Sequence, residues 1–545
     1  MSLILDRRAL LAVGTFGLGG VASRGAAELL AARGFTHNVA SGEPGHYKVM
    51  LWTRYVGSGG DTARLRWQVS RTADFARIAA SGEIRAEAEH DWCVKPVAEG
   101  LDPGRWYFFR FTDRAGRHSP VGRTKTLPNR KSGPTERFTL GIFSCSNLPF
   151  GWFNAYAHAA AREDIDLMIH LGDYLYEYER GRYPGADVAL AGRVIEPATE
   201  MVSLADYRLR HASYRADPDL QRLHQRFPMV MMWDDHESTN DSWHGGAQNH
   251  QPDTEGDWQV RKRAAIRAYR EWLPVSDEPW KHYRIADLAH LYRPETRLTA
   301  RSEPLDLGRA LAGRSGDLNA ALAAFRDGPW RDPSRTMLGA EQERWLAAGL
   351  KQSAGDGVRW QVLAQQVLMG SISTSPRTAE WIGSGAGAAI RERAQTGLAA
   401  SRAGLPFNFD MWDGYPAARE RLLRAALDAD ANLLVLSGDS HNAWAFNLDL
   451  AGTPAGVDLG VQSVTSPGFE AHLPKVPPAD LAAALIDHNR QLVWADTHRR
   501  GYMTLELTAD RAVNEWLFLD TVRQRSTRIA GRHRVTVTRC ANRLG

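Results

Sequence analysis

The sequence predicts an α/β domain preceded by an all-β one. Five short apolar runs recur between residues 138 and 437 with helical patterns between them. Four of the five end in ionisable residues, and residues 35–130 upstream carry short aromatic and β-branched runs separated by turns. Apolar strands alternating with helices form a sheet covered on its faces, and sites form at the ends of such strands. At 545 residues the chain exceeds one ordinary domain and suits two or three units.

Taken from the N-terminus, Asp6-Arg7-Arg8-Ala9-Leu10-Leu11 opens an apolar run from Leu10 to Ala22, and small residues follow at Ala26-Ala27 and Ala31-Ala32. A charged start, a modest apolar stretch and a small-residue exit describe a signal peptide over residues 1–34, and the Arg-Arg pair resembles a twin-arginine signal. A short anchor or an amphipathic first helix is the alternative, but the run falls short of the roughly 20 residues that span a bilayer. The expected location is periplasmic or secreted, with the twin-arginine export machinery as a partner and no stable membrane span.

Residues 35–130 place strands at Val49–Thr53, Leu65–Ser70 and Trp106–Phe111, with turns at Gly57–Gly60 and Asp102–Gly104. Strands at this spacing suggest a sandwich of immunoglobulin or fibronectin type, a structural or docking module. The polar stretch Pro128–Pro134 reads as a linker. The domain 135–545 then places strands at Phe138–Phe143, Leu167–Leu171, Met229–Trp233, Gln361–Gln365 and Asn432–Ser437. Helical patterns cover Phe153–Arg162, Gln259–Trp272 and Ala417–Leu427, and Ala-rich Arg309–Arg326 reads as a surface helix. Met503–Thr508 and Arg534–Arg539 return to β character.

A net charge of +4 with no long basic block gives specific nucleic-acid binding no electrostatic support. Three cysteines exclude a disulfide framework, and whether Cys93 and Cys540 pair stays open. The chain has no Gly-x-Ser-x-Gly elbow, no Gly-rich phosphate loop followed by Lys-Ser or Lys-Thr, and no His-Glu-x-x-His or Cys-x-x-Cys pattern.

The strand ends carry the chemistry. They read Ser144-Cys145-Ser146-Asn147, Gly172-Asp173-Tyr174-Leu175-Tyr176-Glu177, Asp234-Asp235-His236-Glu237 with Asn240-Asp241, and Gly438-Asp439-Ser440-His441-Asn442. One such Asp is commonly a helix cap. Packing this many acids together costs several kcal/mol unless a cation compensates. Carboxylates, imidazoles and a thiol at converging strand ends suit a polynuclear metal site. Taken singly, Tyr176 also reads as a packed aromatic and Cys145 as a small buried hydrophobe. His170 reads as a core histidine, and His244 and His250 as surface residues.

This series resembles the calcineurin-like metallophosphoesterases, whose motifs run Asp-x-His, Gly-Asp-x-x-Asp, Gly-Asn-His-Asp/Glu, a middle His and Gly-His-x-His. It departs from them toward the PhoD-like alkaline phosphatases. Cys145 stands for the opening Asp, Tyr176 for the second Asp, Asp235 for the Asn before His236, and Asp439 for the first His of Gly-His-x-His. Phe35–Gly42, Leu51–Arg54, Tyr269–Pro274, Leu338–Gln342, Trp412–Tyr415 and Thr465–Gly468 resemble the same family.

The resemblance implies a β-sandwich core flanked by helices and a site holding Fe(3+) and Ca(2+). Asp173 would bridge the metals. Cys145, Tyr176 and Asp439 would join it at iron, and Asp235 and His441 at the second position. Asn240 would be a Ca(2+) ligand, and Gln366 a ligand or an orienting group. His236 would assist the leaving group, and Arg297 would meet a carboxylate or the phosphate. The implied activity is hydrolysis of phosphate monoesters and diesters by a metal-held hydroxide. Phospholipase D-type or phosphotriesterase chemistry on the same scaffold is the alternative, and a secreted metal-binding adhesion module the remoter one. Selectivity among small phosphate esters would lie in the loops Gly181–Ala198 and Trp243–Trp258.

Overall fold

The computed structural model of the protein describes residues 24–133, 135–313, 316–382 and 388–545. The Arg7-Arg8 pair and the apolar run of the expected signal lie outside them. Arg24–Ala31 is a helix and Gly34–Gly42 the first strand. Among the described residues no helix is long and apolar enough to cross a membrane.

The five apolar strands are all present, divided between two sheets. Arg137–Phe143, Leu167–His170 and Pro228–Met231 are parallel neighbours in one. Ala289–Arg293, Trp360–Ala364, Leu433–Ser437 and Thr453–Gly460 are parallel neighbours in the other. Side chains alternate along a strand, so each presents two faces. Leu140, Ile142, Leu167, Ile169 and Val230 meet Leu291, Val362, Leu434, Leu436 and Leu459 across the space between the sheets. The intervening Phe143, Met168, Met229 and Met231 meet Tyr156, Leu220, Leu223, Ala265 and Tyr269 of helices Asn154–Ala160, Pro218–Arg226 and Trp258–Trp272. On the far side Leu363, Leu433 and Val435 meet Leu346 and Leu350 of Gly339–Gly355 and Leu422 and Leu423 of Pro416–Asp428. The layers are therefore helix, sheet, sheet, helix, and every strand is apolar throughout because both faces are buried.

The N-terminal β region shares a sheet with this core. Ile78–Glu87, Thr62–Ser70, Trp106–Thr112 and Gly122–Lys125 make a four-stranded antiparallel sheet. It packs through Leu65, Val69, Tyr107, Phe109 and Phe111 on Val39, Val49 and Leu51. Those three belong to Gly34–Gly42 and Lys48–Val56, which extend the first core sheet: Ser41 and Gly42 pair in parallel with Pro228 and Met229. At the opposite edge Gly501–Thr508, Arg511–Leu519 and Ile529–Thr538 complete it. The break expected near residue 130 is thus a change of sheet within one continuous framework.

The Ala-rich stretch differs from its expected single helix. It forms Leu307–Leu311 and Leu318–Phe325, with Gly313 at φ +69° and Gly316 at φ +129° between them. It is not wholly a surface element either, since Leu322 and Phe325 are buried on Leu405 and Phe409. All three cysteines are free, Cys93 and Cys145 buried and Cys540 exposed.

Glu43 ties the N-terminal strands to the core. Its buried carboxylate accepts from Lys281 Nζ at 2.8 Å and the Ser276 N–H at 2.9 Å. Burial pushes this carboxyl upward, but Arg293 and Lys281 together bring it below its ordinary 4.5. A depressed carboxyl contributes stability that is whole above its unfolded value and lost as pH falls through the folded one. Glu43→Gln is expected to cost on the order of 2 kcal/mol at pH 7. In urea unfolding measured across pH, the deficit should shrink as pH drops below about 4.5. A pH-independent deficit would show that Glu43 acts through shape rather than charge.

Candidate metal centre

Four loops bring the site together, three leaving the first core sheet and one leaving the second. Their close approach needs glycine. Gly172 has φ +105°, and a Cβ there would stand 2.4 Å from Asp234 Cβ. A Cβ on Gly438 would stand 2.3 Å from Ser144 Oγ. The donors themselves sit in the left-handed region, Cys145 at φ 58°, Asp173 at 53°, Asp439 at 61° and His441 at 64°. That backbone costs of order 1–3 kcal/mol per residue and persists where surrounding structure enforces it.

Asp173 is common to three groups whose ligand atoms lie within 4.8 Å of one another: Cys145 and His441; Asp235 and His236; and Asp234, Asp235 and Asp439. Tyr176 completes the first group. Its hydroxyl donates to Asp173 Oδ2 at 3.1 Å, lies 3.2 Å from His441 Nε2 and accepts from Ser466 Oγ at 2.7 Å. His441 Nδ1 is 2.8 Å from the Pro467 carbonyl, which fixes the proton there and leaves Nε2 free as a donor to a metal. In this arrangement His441 stands with Cys145 and Tyr176, and Asp439 stands with Asp234 and Asp235.

The electrostatics call for a cation. Asp173 Oδ1, Asp234 Oδ2 and Asp235 Oδ1 are buried without a hydrogen-bond partner. Burial, and after it the neighbouring carboxylates, holds Asp173 and Asp439 well above the usual carboxylate range. Asp234 is pushed by burial to about 6. Burial acts the same way on Asp235, but Arg297 and His236 beside it bring it below its ordinary value. Burial and the Asp173 charge likewise raise the Cys145 thiol and the Tyr176 phenol. Such a set ionises together only against added positive charge, and its mixture of thiol, phenol, imidazole and carboxylate fits metal ions.

Other expected residues position the donors. Arg297 is wholly buried. It binds Asp234 through Nε and Asp410 through NH1 at 2.7 and 2.9 Å, with Asp235 at 3.6 Å and Asp439 at 3.5 Å. Of its two expected roles, the carboxylate contact is the one observed. Gln366 spends its amide within the protein: Thr296 Oγ1 donates to its Oε1 at 2.7 Å, and its Nε2 donates to the Trp233 carbonyl at 2.8 Å. Asn240 gives its backbone N–H to Glu177 at 2.9 Å and directs its amide at Gln248. His236 Nδ1 lies 2.7 Å from Glu177. Burial lowers this imidazole, but Asp235, Glu177 and Asp173 more than offset that and place it well above its ordinary value.

Sequence reasoning missed several contributors. Glu237 accepts the N–H groups of Asp173 at 3.1 Å, Tyr174 at 2.6 Å and Asp234 at 2.7 Å, joining two of the loops. It was visible beside His236, but nothing local assigns it a partner. Arg210, fully buried, donates to the carbonyls of Tyr176, Tyr178, Glu196, Pro197 and Thr199 and so anchors the loop 181–198. Asp410 and Ser466 come from distant segments, Ser466 within the family-like stretch Thr465–Gly468. His170 is a core histidine 2.8 Å from the Tyr156 hydroxyl, and His244 is exposed. His250 departs from expectation, being buried against Glu255 at 3.2 Å.

Comparisons with known proteins agree with this geometry. Residues 140–516 match the model of the PhoD-like phosphatase family, and residues 20–128 match that of the PhoD-like phosphatase N-terminal domain. Alkaline phosphatase D of Bacillus subtilis (strain 168) is 33% identical over 433 residues, which is 76% of this chain and 65% of that protein. The chain thus spans slightly less than two thirds of that relative's length. A solved structure of PhoD superposes with a TM-score of 0.76 at 27% identity, covering 94% of this chain and 92% of that one.

Replacing Arg297 by Met leaves Asp234 buried without its counter-charge, while Arg301 at 2.5 Å still pairs with Asp410. The expected loss is about 3–5 kcal/mol in chemical denaturation. A variant that keeps its stability and only raises KM would mark Arg297 as a phosphate contact instead.

Proposed function

This chain belongs to the PhoD-like phosphatase family, and from that premise we propose that it is an exported, metal-dependent phosphoesterase that hydrolyses phosphate monoesters and diesters. The observation that carries the reading is the donor set around Asp173, in which Asp173 Oδ1, Asp234 Oδ2 and Asp235 Oδ1 are buried without hydrogen-bond partners. Cys145, Tyr176 and His441 with Asp173 would hold a ferric ion, which favours anionic ligands such as thiolate and phenolate. Asp235, Asp234 and Asp439, again with Asp173, offer the oxygen donors that suit Ca(2+). Bound cations supply Lewis acidity, activating water and neutralising charge on the phosphoryl oxygens.

The remaining work falls to side chains. His236 is turned by Glu177 so that Nδ1 is occupied and the Nε2 proton serves the departing oxygen of the ester. Asp439, Ser440 and His441 are only half-buried, so a small ester approaches on their side. Arg297 keeps the carboxylates in place without touching substrate, and Arg210 holds the loop beside the site. The Arg7-Arg8 start supports export in the folded, metal-loaded state.

Asp173→Ala is expected to remove activity on 4-nitrophenyl phosphate and on its bis-ester by on the order of 10³-fold or more. Activity on the monoester alone in the unmutated enzyme would refute the diesterase part, and an active Asp173→Ala would refute the site. The purified enzyme should contain iron and absorb visible light through a ferric tyrosinate. Tyr176→Phe should bleach that band while the protein stays folded by near-ultraviolet circular dichroism. A colourless, iron-free and fully active enzyme would overturn the assignment of Tyr176 and Cys145.

A further inference from the structure

Behind the metal-binding loops lies a second buried polar cluster that this chemistry does not use. It is set among the helices Leu204–Arg215, Pro218–Arg226 and Trp258–Trp272. Arg215 is wholly buried, its guanidinium has no close hydrogen-bond partner beyond the facing Tyr174 hydroxyl, and among the described residues no carboxylate forms an ion pair with it. One helical turn earlier on the same face stands His211, with both ring nitrogens unpartnered. Tyr269 Oη, Trp272 Nε1 and His224 Nδ1 are also buried and unpartnered.

These groups stand together. The His211 ring is stacked with Trp272 at 6.4 Å and lies 6.3 Å from Tyr269. The Arg215 guanidinium lies over Trp52 at 4.4 Å, and Trp52 is 6.2 Å from Trp272. Tyr174, 6.4 Å from His211, faces the Arg215 guanidinium with a hydroxyl that also lies 3.0 Å from His224 Nε2, a neutral contact that leaves the Arg215 charge uncompensated.

Arginine and indole are donors only, and phenol and imidazole can donate. A permanent cation enclosed by donors and aromatic faces costs several kcal/mol unless an acceptor of opposite charge joins it. Burial, with the Arg215 charge adding to it, lowers His211 to about 3 and His224 well below its ordinary value, so both rings are neutral near pH 7. Arg54, 5.1 Å over Trp272, is paired with Asp91 at 2.8 Å, so the unpaired charge of the cluster is the one on Arg215. One negative charge balances it, whereas a phosphate dianion would leave a buried excess. Aromatic walls favour a polarizable, weakly hydrated ion.

We propose that this cluster binds one small monovalent anion, a halide, against the Arg215 guanidinium, with His211, Tyr269 and Trp272 as further donors. The ion backs the metal loop, because Tyr174, which lines the cluster, follows Asp173 and is held by Glu237 through its N–H.

The test uses the metal-loaded full chain. Crystals grown with bromide in place of chloride should show an anomalous peak beside Arg215. Ordinary water there, with no anomalous signal, would overturn the proposal. In solution, chloride titrated against gluconate at constant ionic strength should raise Tm saturably, by about 2–4 °C. Arg215→Met should lose that response and, in halide-free buffer, be at least as stable as the unmutated protein. An equal chloride response in Arg215→Met would mark a general salt effect and overturn the site. Should that variant fail to fold, the bromide peak alone decides.

Discussion

Arg297 lies within reach of Asp234, Asp235, Asp410 and Asp439, residues that come from three separate stretches of chain. Its single charge cannot neutralise them, and Asp173 adds another carboxylate in their midst. The architecture around the site follows from this residual negative charge. Glu237 and Glu177 accept backbone and histidine hydrogens, spending their own charge on loop geometry. Donor backbones are held in left-handed conformations that an isolated loop would relax. A bound cation would offset this buried negative charge, and metal dependence is what the proposed function draws from it.

That strain is borne by a rigid frame. Two sheets share one apolar core while helices cover their outer faces, so the loops at their ends project from strands that cannot shift independently. Three loops come from one sheet and the fourth, with Asp439 and His441, from the other. The site therefore forms only when both sheets are packed. The N-terminal strands add to the same sheet through the Ser41–Pro228 and Gly42–Met229 pairs. The N-terminal β region thus reinforces the strand that delivers Asp234, Asp235 and His236.

The two polar clusters have opposite electrostatics. Around Asp173, buried acceptors exceed donors and a cation completes them. Around Arg215, buried donors exceed acceptors and an anion would complete them. They meet at consecutive residues, Asp173 and Tyr174, whose side chains point to opposite sides of the loop.

The sequence by itself determined the strands, the ends at which chemistry collects, and the candidates Cys145, Asp173, Tyr176, Asp235, Asp439 and His441 that stand together in the fold. Each of these signals is local: a strand's apolarity reports burial, and a polar residue in the loop that follows is delivered with the strand. Tertiary structure alone decided how five similar strands divide between two sheets, because a residue buried against a helix and one buried against a second sheet are equally apolar. It also decided which donors His441 and Asp439 stand beside, how Gln366 and Asn240 are hydrogen-bonded, and that Glu237, Asp410 and Arg210 hold the loops. Their roles depend on partners far along the chain, and local sequence encodes how deeply a side chain is buried but not what it meets there.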